Sequence, residues 1–163
     1  MSAAPDLAPT GCRAALTAAD RDEVFAIRRT VFVAEQSLFE GSDLDDRDDD
    51  PTTIHVVGTV GGITAGTVRL YPLRPGHPEG DWQGDRLAVL PGFRSSGLGA
   101  PLVRFAVATA GELGGARMIA HVQMPNEMFF RRLGWARVGA PEIYVGQPHL
   151  LMEIDLQAAR TAS

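Results

Sequence analysis

The sequence predicts a mixed α/β domain in which six or seven strands form a sheet flanked by helices. Segments with apolar residues at helical spacing alternate along the chain with short segments rich in β-branched residues. An early hairpin signal, Gly61-Gly62, adds an antiparallel pair to this alternation, which makes the sheet mixed. The 163 residues, of which 45% are hydrophobic, suffice for one domain with a core.

The first helix is predicted over residues 21–35, after a flexible N-terminus over residues 1–11 that is rich in Ala, Pro and Ser. Val24, Ile27 and Val31 recur at helical spacing. Asp20, followed three residues later by Glu23, is expected to cap this helix, and Arg28 is expected on its polar side. Residues 12–163 are then expected to form the functional domain.

An acidic segment, Glu40–Asp50, follows the helix and contains six aspartates. A calcium loop of the EF-hand type requires Gly at its sixth position and Glu at its twelfth, and Asp48 and Ile54 stand there instead. A solvated acidic loop is therefore expected. The alternative is a loop that attracts a cationic substrate.

The remaining elements follow from β-branched runs, apolar periodicity and Gly or Pro breaks. Strands are predicted at 53–60, 63–71, 82–90, 117–123, 135–139 and 149–156, with helices at 99–113 and 126–133. A last strand at an exposed edge could pair with a second copy, which allows a homodimer.

Composition excludes several functional classes. The net charge of −5 argues against nucleic-acid binding. No apolar run reaches the length of a membrane span and no signal peptide is visible, so a cytoplasmic protein without membrane contact is expected. The single cysteine, Cys12, excludes an intrachain disulfide, and the histidines show no metal-ligand spacing, so no metal site is predicted.

The segment Asp85–Ala100 indicates a phosphate site, because a strand, a tight turn and a helix start follow one another in it. A helix N-terminus presents unpaired N–H groups and partial positive charge, and small residues let the backbone approach a diphosphate. Arg94 can add a charge-assisted contact. A nucleotide hydrolase is disfavoured, because the Gly-Lys-Ser/Thr of a Walker A loop is missing.

The same segment resembles the GCN5-related N-acetyltransferase (GNAT) family, whose acetyl-CoA signature is Arg/Gln-x-x-Gly-x-Gly/Ala after a Leu-x-Val-x-Pro strand. The matching residues are Leu87, Val89, Pro91, Arg94, Gly97 and Gly99. The resemblance extends from about Asp20 to Leu156, and the sequence also looks similar to a little-characterised bacterial subgroup of unknown substrate.

This resemblance implies acetyl-CoA as the acyl donor, bound between splayed central strands 82–90 and 117–123. The strand residues would pair with the pantetheine arm, a backbone N–H near Val89 would stabilise the oxyanion, and the loop amides would hold the pyrophosphate. The implied cofactor-binding residues are Leu87, Ala88, Val89, Arg94, Ser95, Ser96, Gly97, Leu98, Gly99, Ala100, Asn126 and Phe129. Phe129 has a core position as its alternative.

The catalytic residues are less well defined. The incoming ammonium must lose a proton, and the family position for the base falls on or near His121, with Asp85 as the alternative. Each also has a structural alternative: a hydrogen-bonded core or edge histidine for His121, and a surface carboxylate for Asp85. Many members carry a Tyr acid where this chain has Phe130, so Tyr144 is a substitute candidate, with simple packing as its alternative.

The predicted function is transfer of an acetyl group from acetyl-CoA to a primary amine of a small molecule or an N-terminus, by direct attack on the thioester. Glu35 and Glu40 could line the acceptor site, or belong to the solvated surface. A catalytically silent CoA-binding sensor is the alternative function, because Phe130 cannot donate a proton.

Overall fold

The computed structural model describes residues 8–144 and 146–161. Their contacts divide the chain into two compact units. Among the described residues, unit 1 contains residues 8–69 and 86–106, and unit 2 contains residues 70–85, 107–144 and 146–161.

Within the described ranges, seven strands form one mixed sheet, as the sequence predicts. Its strands are β1 (Thr10–Ala14), β2 (Ile54–Val60), β3 (Ile63–Pro72), β4 (Asp81–Val89), β5 (Arg117–Gln123), β6 (Ala136–Tyr144) and β7 (Gln147–Asp155). Their order in the sheet is β1-β2-β3-β4-β5-β7-β6. The β4–β5 pair is parallel and joins Asp81–Gln83 to Arg117–Ile119, whereas β7 is antiparallel to both its neighbours. The splay of β4 from β5 stays a prediction.

The part of the chain that the structure describes also contains four α-helices: α1 (Ala18–Arg28), α2 (Gly99–Glu112), α3 (Glu127–Arg132) and α4 (Leu156–Thr161). α1 continues as a π-helix over Arg29–Glu35, which accounts for the long helix predicted there. In the described part of the chain, no helix has both the length and the apolar character needed to cross a bilayer.

The cap of α1 differs from the prediction. Thr17, in an extended conformation, is the N-cap, and its hydroxyl accepts a hydrogen bond of 3.0 Å from the Asp20 amide. Asp20 lies in the first turn, and its carboxylate pairs with Arg13 at 2.6 Å. The prediction of Asp20 as the cap is therefore wrong by one turn, because Thr17 satisfies the amide first.

Strand β1 and helix α4 are absent from the prediction. β1 pairs Thr10 and Gly11 with Val60 and Thr59, so the last two residues of the predicted flexible segment are ordered, while residues 1–7 of that segment lie outside the described residues. Its Thr-Gly-Cys-Arg-Ala sequence lacks the β-branched run that indicates a strand. Cys12 is half-buried in it, and burial raises the pKa of its thiol.

The last strand is not an edge strand, which corrects the predicted route to a homodimer. β7 lies between β5 and β6, and β6 forms the edge. The side chains agree with this order, because Leu150 and Met152 of β7 are buried, whereas most of β6 is exposed. A strand paired on both sides has no open ladder for a second copy.

The acidic segment is solvated only in part, because most of its residues are exposed but two of its aspartates are buried. Asp43 and Asp48 are only 3% and 5% exposed. Each lies 2.7 Å from a nitrogen of Arg28, which is fully buried. Arg28 follows Val24 by four residues, so both lie on the inner face of α1. The expectation of a polar-side Arg28 is wrong, and the expectation of a solvated loop fails at Asp43 and Asp48, because these two carboxylates are buried with the Arg28 guanidinium.

Candidate functional site

The loop between β4 and α2 adopts the strand, turn and helix start that its sequence predicts. Pro91–Ser96 form a 3-10 turn, Gly97 has a left-handed backbone with φ of 78°, and α2 begins at Gly99. An ideal Cβ placed on Gly97 would meet no atom within 4 Å, so the space above this residue is open. Gly is the residue that adopts this conformation without steric cost.

The start of α2 leaves amides without helical acceptors. The Leu102 amide donates to the Leu98 carbonyl at 3.2 Å, which is the first bond of the helix. Gly99 and Ala100 precede it, and Pro101 has no N–H. In α2, all of which is described, the first-turn amides therefore present donors and partial positive charge to an anion.

Leu98 fixes the backbone of this loop. Its side chain is fully buried. It lies so close to β3 that a Cβ on Gly66 would stand 2.8 Å from Leu98 Cδ2 and 2.9 Å from the Ala88 carbonyl oxygen. The role predicted for Leu98 is thereby limited to its backbone, since its side chain faces the core. The hydroxyl of Ser96 accepts from the Leu98 amide at 3.3 Å.

Arg94, the predicted phosphate contact, is engaged with a carboxylate. Its Nη1 lies 2.7 Å from Glu35 Oε2, and its Nε donates to the Val89 carbonyl at 3.1 Å. The Arg94 guanidinium lowers the pKa of Glu35 through this hydrogen bond. Both side chains are partly exposed, at 45% and 32%. Glu35, expected at the acceptor site, lies beside the predicted CoA loop, and Glu40 is exposed.

His121 belongs to an aromatic cluster in unit 2. Its ring stacks on that of Tyr144, with centroids 3.9 Å apart and planes 7° from parallel. Tyr144 also meets the ring edge of His149, at 5.5 Å. The three residues come from β5, β6 and β7, so the strand exchange at the end of the sheet brings them together. The sequence singled out His121 and Tyr144 but gave His149 no role here.

The charge state of His121 follows from its surroundings. Burial lowers the pKa of its imidazole and His149 lowers it further, whereas the carboxylates of Glu142 and Asp85 raise it. The net direction is downward, so His121 is neutral at pH 7 and can accept a proton.

Asp85, the alternative base, has a buried partner that sequence reasoning missed. The hydroxyl of Tyr71 donates to Asp85 Oδ2 at 3.2 Å, and Tyr71 is 5% exposed. Tyr71 and Tyr144 are the two tyrosines of the chain. The position of Tyr71, near the end of β3, was the available signal, because β3 adjoins β4 in the sheet.

The two remaining predicted contacts lie in and before α3. Asn126 ends an exposed 3-10 turn. Phe129 is half-buried, with its ring 5.2 Å from that of Phe130. Phe130 is buried and packs edge-on against Trp135 at 5.4 Å, which makes it a core residue. A CoA contact by Asn126 or Phe129 stays a prediction.

Comparison with known families identifies the fold. A family model described as the acetyltransferase (GNAT) family matches residues 21–135, which is more than half of the chain. The chain belongs to the GNAT family. It is therefore an acyltransferase of a family that uses acyl-CoA donors.

Solved structures share the GNAT fold. Escherichia coli ElaA is 18% identical, with a TM-score of 0.76 over 91% of this chain and 99% of its own. An acyl-CoA N-acyltransferase from Pseudomonas aeruginosa is 24% identical, with a TM-score of 0.74 over 89% and 98%. BjaI, a CoA-dependent acyl-homoserine lactone synthase solved with SAM and isopentyl-CoA, is 19% identical, with a TM-score of 0.71 over 93% and 85%.

Proposed function

We propose that this GNAT protein transfers an acetyl group from acetyl-CoA to a primary amine of a small molecule or an N-terminus. The observation that supports the proposal is the helix start at Gly99, where a left-handed Gly97 and amides without helical acceptors offer donors that suit a diphosphate. The family membership supports a CoA thioester as the donor.

The donor contacts follow from the loop. The amides from Ser95 to Ala100 hold the pyrophosphate, and Leu87, Ala88 and Val89 pair with the pantetheine arm through their backbone. The guanidinium of Arg94 makes a charge-assisted contact with the phosphates, and Asn126 and Phe129 contribute further CoA contacts. Binding of phosphate at Arg94 requires its guanidinium to share or leave Glu35, because both acceptors compete for the same N–H donors.

His121 is the general base of the proposed reaction. Its imidazole is neutral at pH 7, because burial lowers its pKa, and it can take the proton that the attacking ammonium must lose. Asp85 is the alternative base, and its carboxylate accepts a hydrogen bond from the Tyr71 hydroxyl. The attack joins the amine nitrogen to the acetyl carbon and breaks the C–S bond of the thioester. The CoA thiolate that leaves takes up a proton, which balances the second proton that the nitrogen loses as it becomes an amide.

No tyrosine stands at the family position of the general acid, since Phe130 occupies it and is buried. Tyr144 carries a hydroxyl near His121 and is the candidate donor. A thiolate with a pKa of about 8.5 can also leave without an acid. The buried Phe130 is the observation that keeps a silent CoA-binding sensor as the second candidate.

A panel of primary amines, incubated with acetyl-CoA and a thiol-detecting dye, separates the two functions. Amine-dependent thiol release is expected. CoA binding without release for any amine would support the sensor instead.

His121→Gln tests the base. We expect kcat/KM to fall about 100-fold, because general-base catalysis contributes about that much, while the Kd of acetyl-CoA changes less than about twofold. The acidic limb of the wild-type pH profile is expected below pH 6.5. Unchanged turnover in His121→Gln, with loss in Asp85→Asn, would move the base to Asp85.

A further inference from the structure

Arg86 has an unusual backbone for a residue inside a strand. It lies in the middle of β4 with φ of 52°, in the left-handed region that favours glycine. A left-handed residue is typical of one class of β-bulge, and such a residue bends the strand and redirects the residues after it. The residues after Arg86 are Leu87–Val89, the segment proposed to pair with pantetheine.

The side chain of Arg86 is held by the acidic segment. Its Nη2 donates to the Asp43 carbonyl at 3.0 Å and lies 3.3 Å from Asp45 Oδ2. Its Nε lies 3.2 Å from Asp43 Oδ2. On the other side, its guanidinium carbon stands 4.6 Å from the centroid of the Phe39 ring. Arg86 is thus enclosed by two carboxylates and an aromatic face, and its side chain is 9% exposed.

The two carboxylates are themselves fixed. Arg28 holds Asp43 at 2.7 Å, and Arg69 holds Asp45 at 2.6 Å. The side chains of Arg28 and Arg69 are at most 1% exposed, so neither can move into solvent. The acceptors of Arg86 therefore occupy fixed positions within unit 1.

We propose that Arg86 is a positioning residue. The acidic segment holds its guanidinium, this keeps its backbone left-handed, and the bend fixes the direction of Leu87–Val89 for the pantetheine arm. This inference rests on the proposed function. It assigns a role to the acidic segment, which takes no part in the reaction itself.

Two substitutions at Arg86 separate its backbone from its side chain. Arg86→Ala and Arg86→Gly both remove the guanidinium, but only glycine adopts the left-handed conformation without cost. We expect acetyl-CoA affinity to fall about tenfold in Arg86→Ala, since the competent backbone becomes a minor population, and to be largely restored in Arg86→Gly. Arg13→Ala, which removes an exposed ion pair on β1, is the matched control and should bind normally.

Equal affinities for Arg86→Ala and Arg86→Gly, whether normal or weakened, would overturn the proposal. If Arg86 contributed only to general stability, Arg86→Gly would not restore acetyl-CoA affinity, because glycine makes the unfolded chain more flexible. Asp45→Asn supplies a second comparison. It should weaken binding about threefold in the wild-type background and have no effect on Arg86→Gly, where no guanidinium remains to be held.

Hydrogen exchange keeps this test separate from the proposed function, because it needs no ligand. The amides of Leu87–Val89 should exchange about tenfold faster in Arg86→Ala than in wild type or Arg86→Gly. If the wild type fails to bind acetyl-CoA, the proposed function falls while this exchange pattern still decides the role of Arg86. Identical exchange in all three proteins would overturn that role.

Discussion

At the residue scale, the chemistry of His121 depends on the aromatic ring that covers it. The Tyr144 ring stacks on one face of the imidazole, and burial is the largest cause of the lowered pKa of His121. Tyr144 can serve the reaction in two ways, by its ring or by its hydroxyl. These roles respond differently to substitution.

Tyr144→Phe and Tyr144→Ala form the matched pair. If the ring orients His121, Phe retains turnover within about threefold of wild type, whereas Ala loses about tenfold and raises the apparent pKa of the acidic limb towards 6.5. Steady-state kinetics against pH measures both effects. A loss in Tyr144→Phe as large as in Tyr144→Ala would instead assign the general acid to the Tyr144 hydroxyl.

At the element scale, the start of α2 is fixed by two glycines beneath it. Leu98 and Leu102 occupy the space that a Cβ would take on Gly58 or Gly66. The two positions differ in what else they meet. At Gly58 the close contacts are the mobile ends of leucine side chains, whereas at Gly66 a backbone carbonyl of β4 lies 2.9 Å away. The helix start therefore keeps its place on β3 only while residue 66 lacks a side chain.

Gly66→Ala is expected to lower the free energy of unfolding by about 3 kcal/mol, because the carbonyl of Ala88 cannot move aside. Gly58→Ala should cost about 1 kcal/mol, since the ends of Leu98 and Leu102 can adjust. Urea unfolding monitored by tryptophan fluorescence measures both. Equal costs would show that the carbonyl contact does not limit the packing.

Much at this scale was predictable from sequence, because it is local. The Gly61-Gly62 hairpin, the β4–α2 turn and the end of α2 shortly before the left-handed Gly114 each depend on residues close in the chain. The presence of β1 and the placement of β7 between β5 and β6 could not be predicted, because they depend on pairing with strands far along the chain. For the same reason, the contact of Tyr71 with Asp85 and the burial of Arg28 among the aspartates could not be predicted.

At the scale of the whole molecule, a buried histidine links stability to pH. His55 is 6% exposed, and its ring nitrogens make no hydrogen bond among the described residues. Burial lowers the pKa of His55 to about 4, although Asp48, whose Oδ1 is 3.7 Å from its Nε2, raises it. The unfolded chain takes up a proton near pH 6.5, and the folded chain does not until about pH 4. The stability that depends on a neutral His55 is therefore fully present above pH 6.5 and is lost as the pH falls towards 4.

His55→Leu should remove this dependence. Between pH 7 and pH 5 we expect the free energy of unfolding of the wild type to fall by about 2 kcal/mol because the pKa of His55 is lowered in the folded state. The variant should lack this part of the fall. Urea midpoints at the two pH values measure the difference, and His77→Gln, at an exposed histidine, should keep the wild-type slope. An unchanged slope in His55→Leu would place the pH dependence elsewhere.

The central claim is that the loop at Gly97 binds the pyrophosphate of acetyl-CoA. Its most direct test is the acetyl-CoA dissociation constant, by calorimetry, of the wild type, Gly97→Asn and Gly97→Asp. Asn and Asp have the same size and both tolerate the φ of 78° at this position, so the two variants differ in one charge. We predict affinity within about threefold of wild type for Asn and a loss of at least about tenfold for Asp, because like charges repel at close range. Equal affinities for the two variants would contradict the claim.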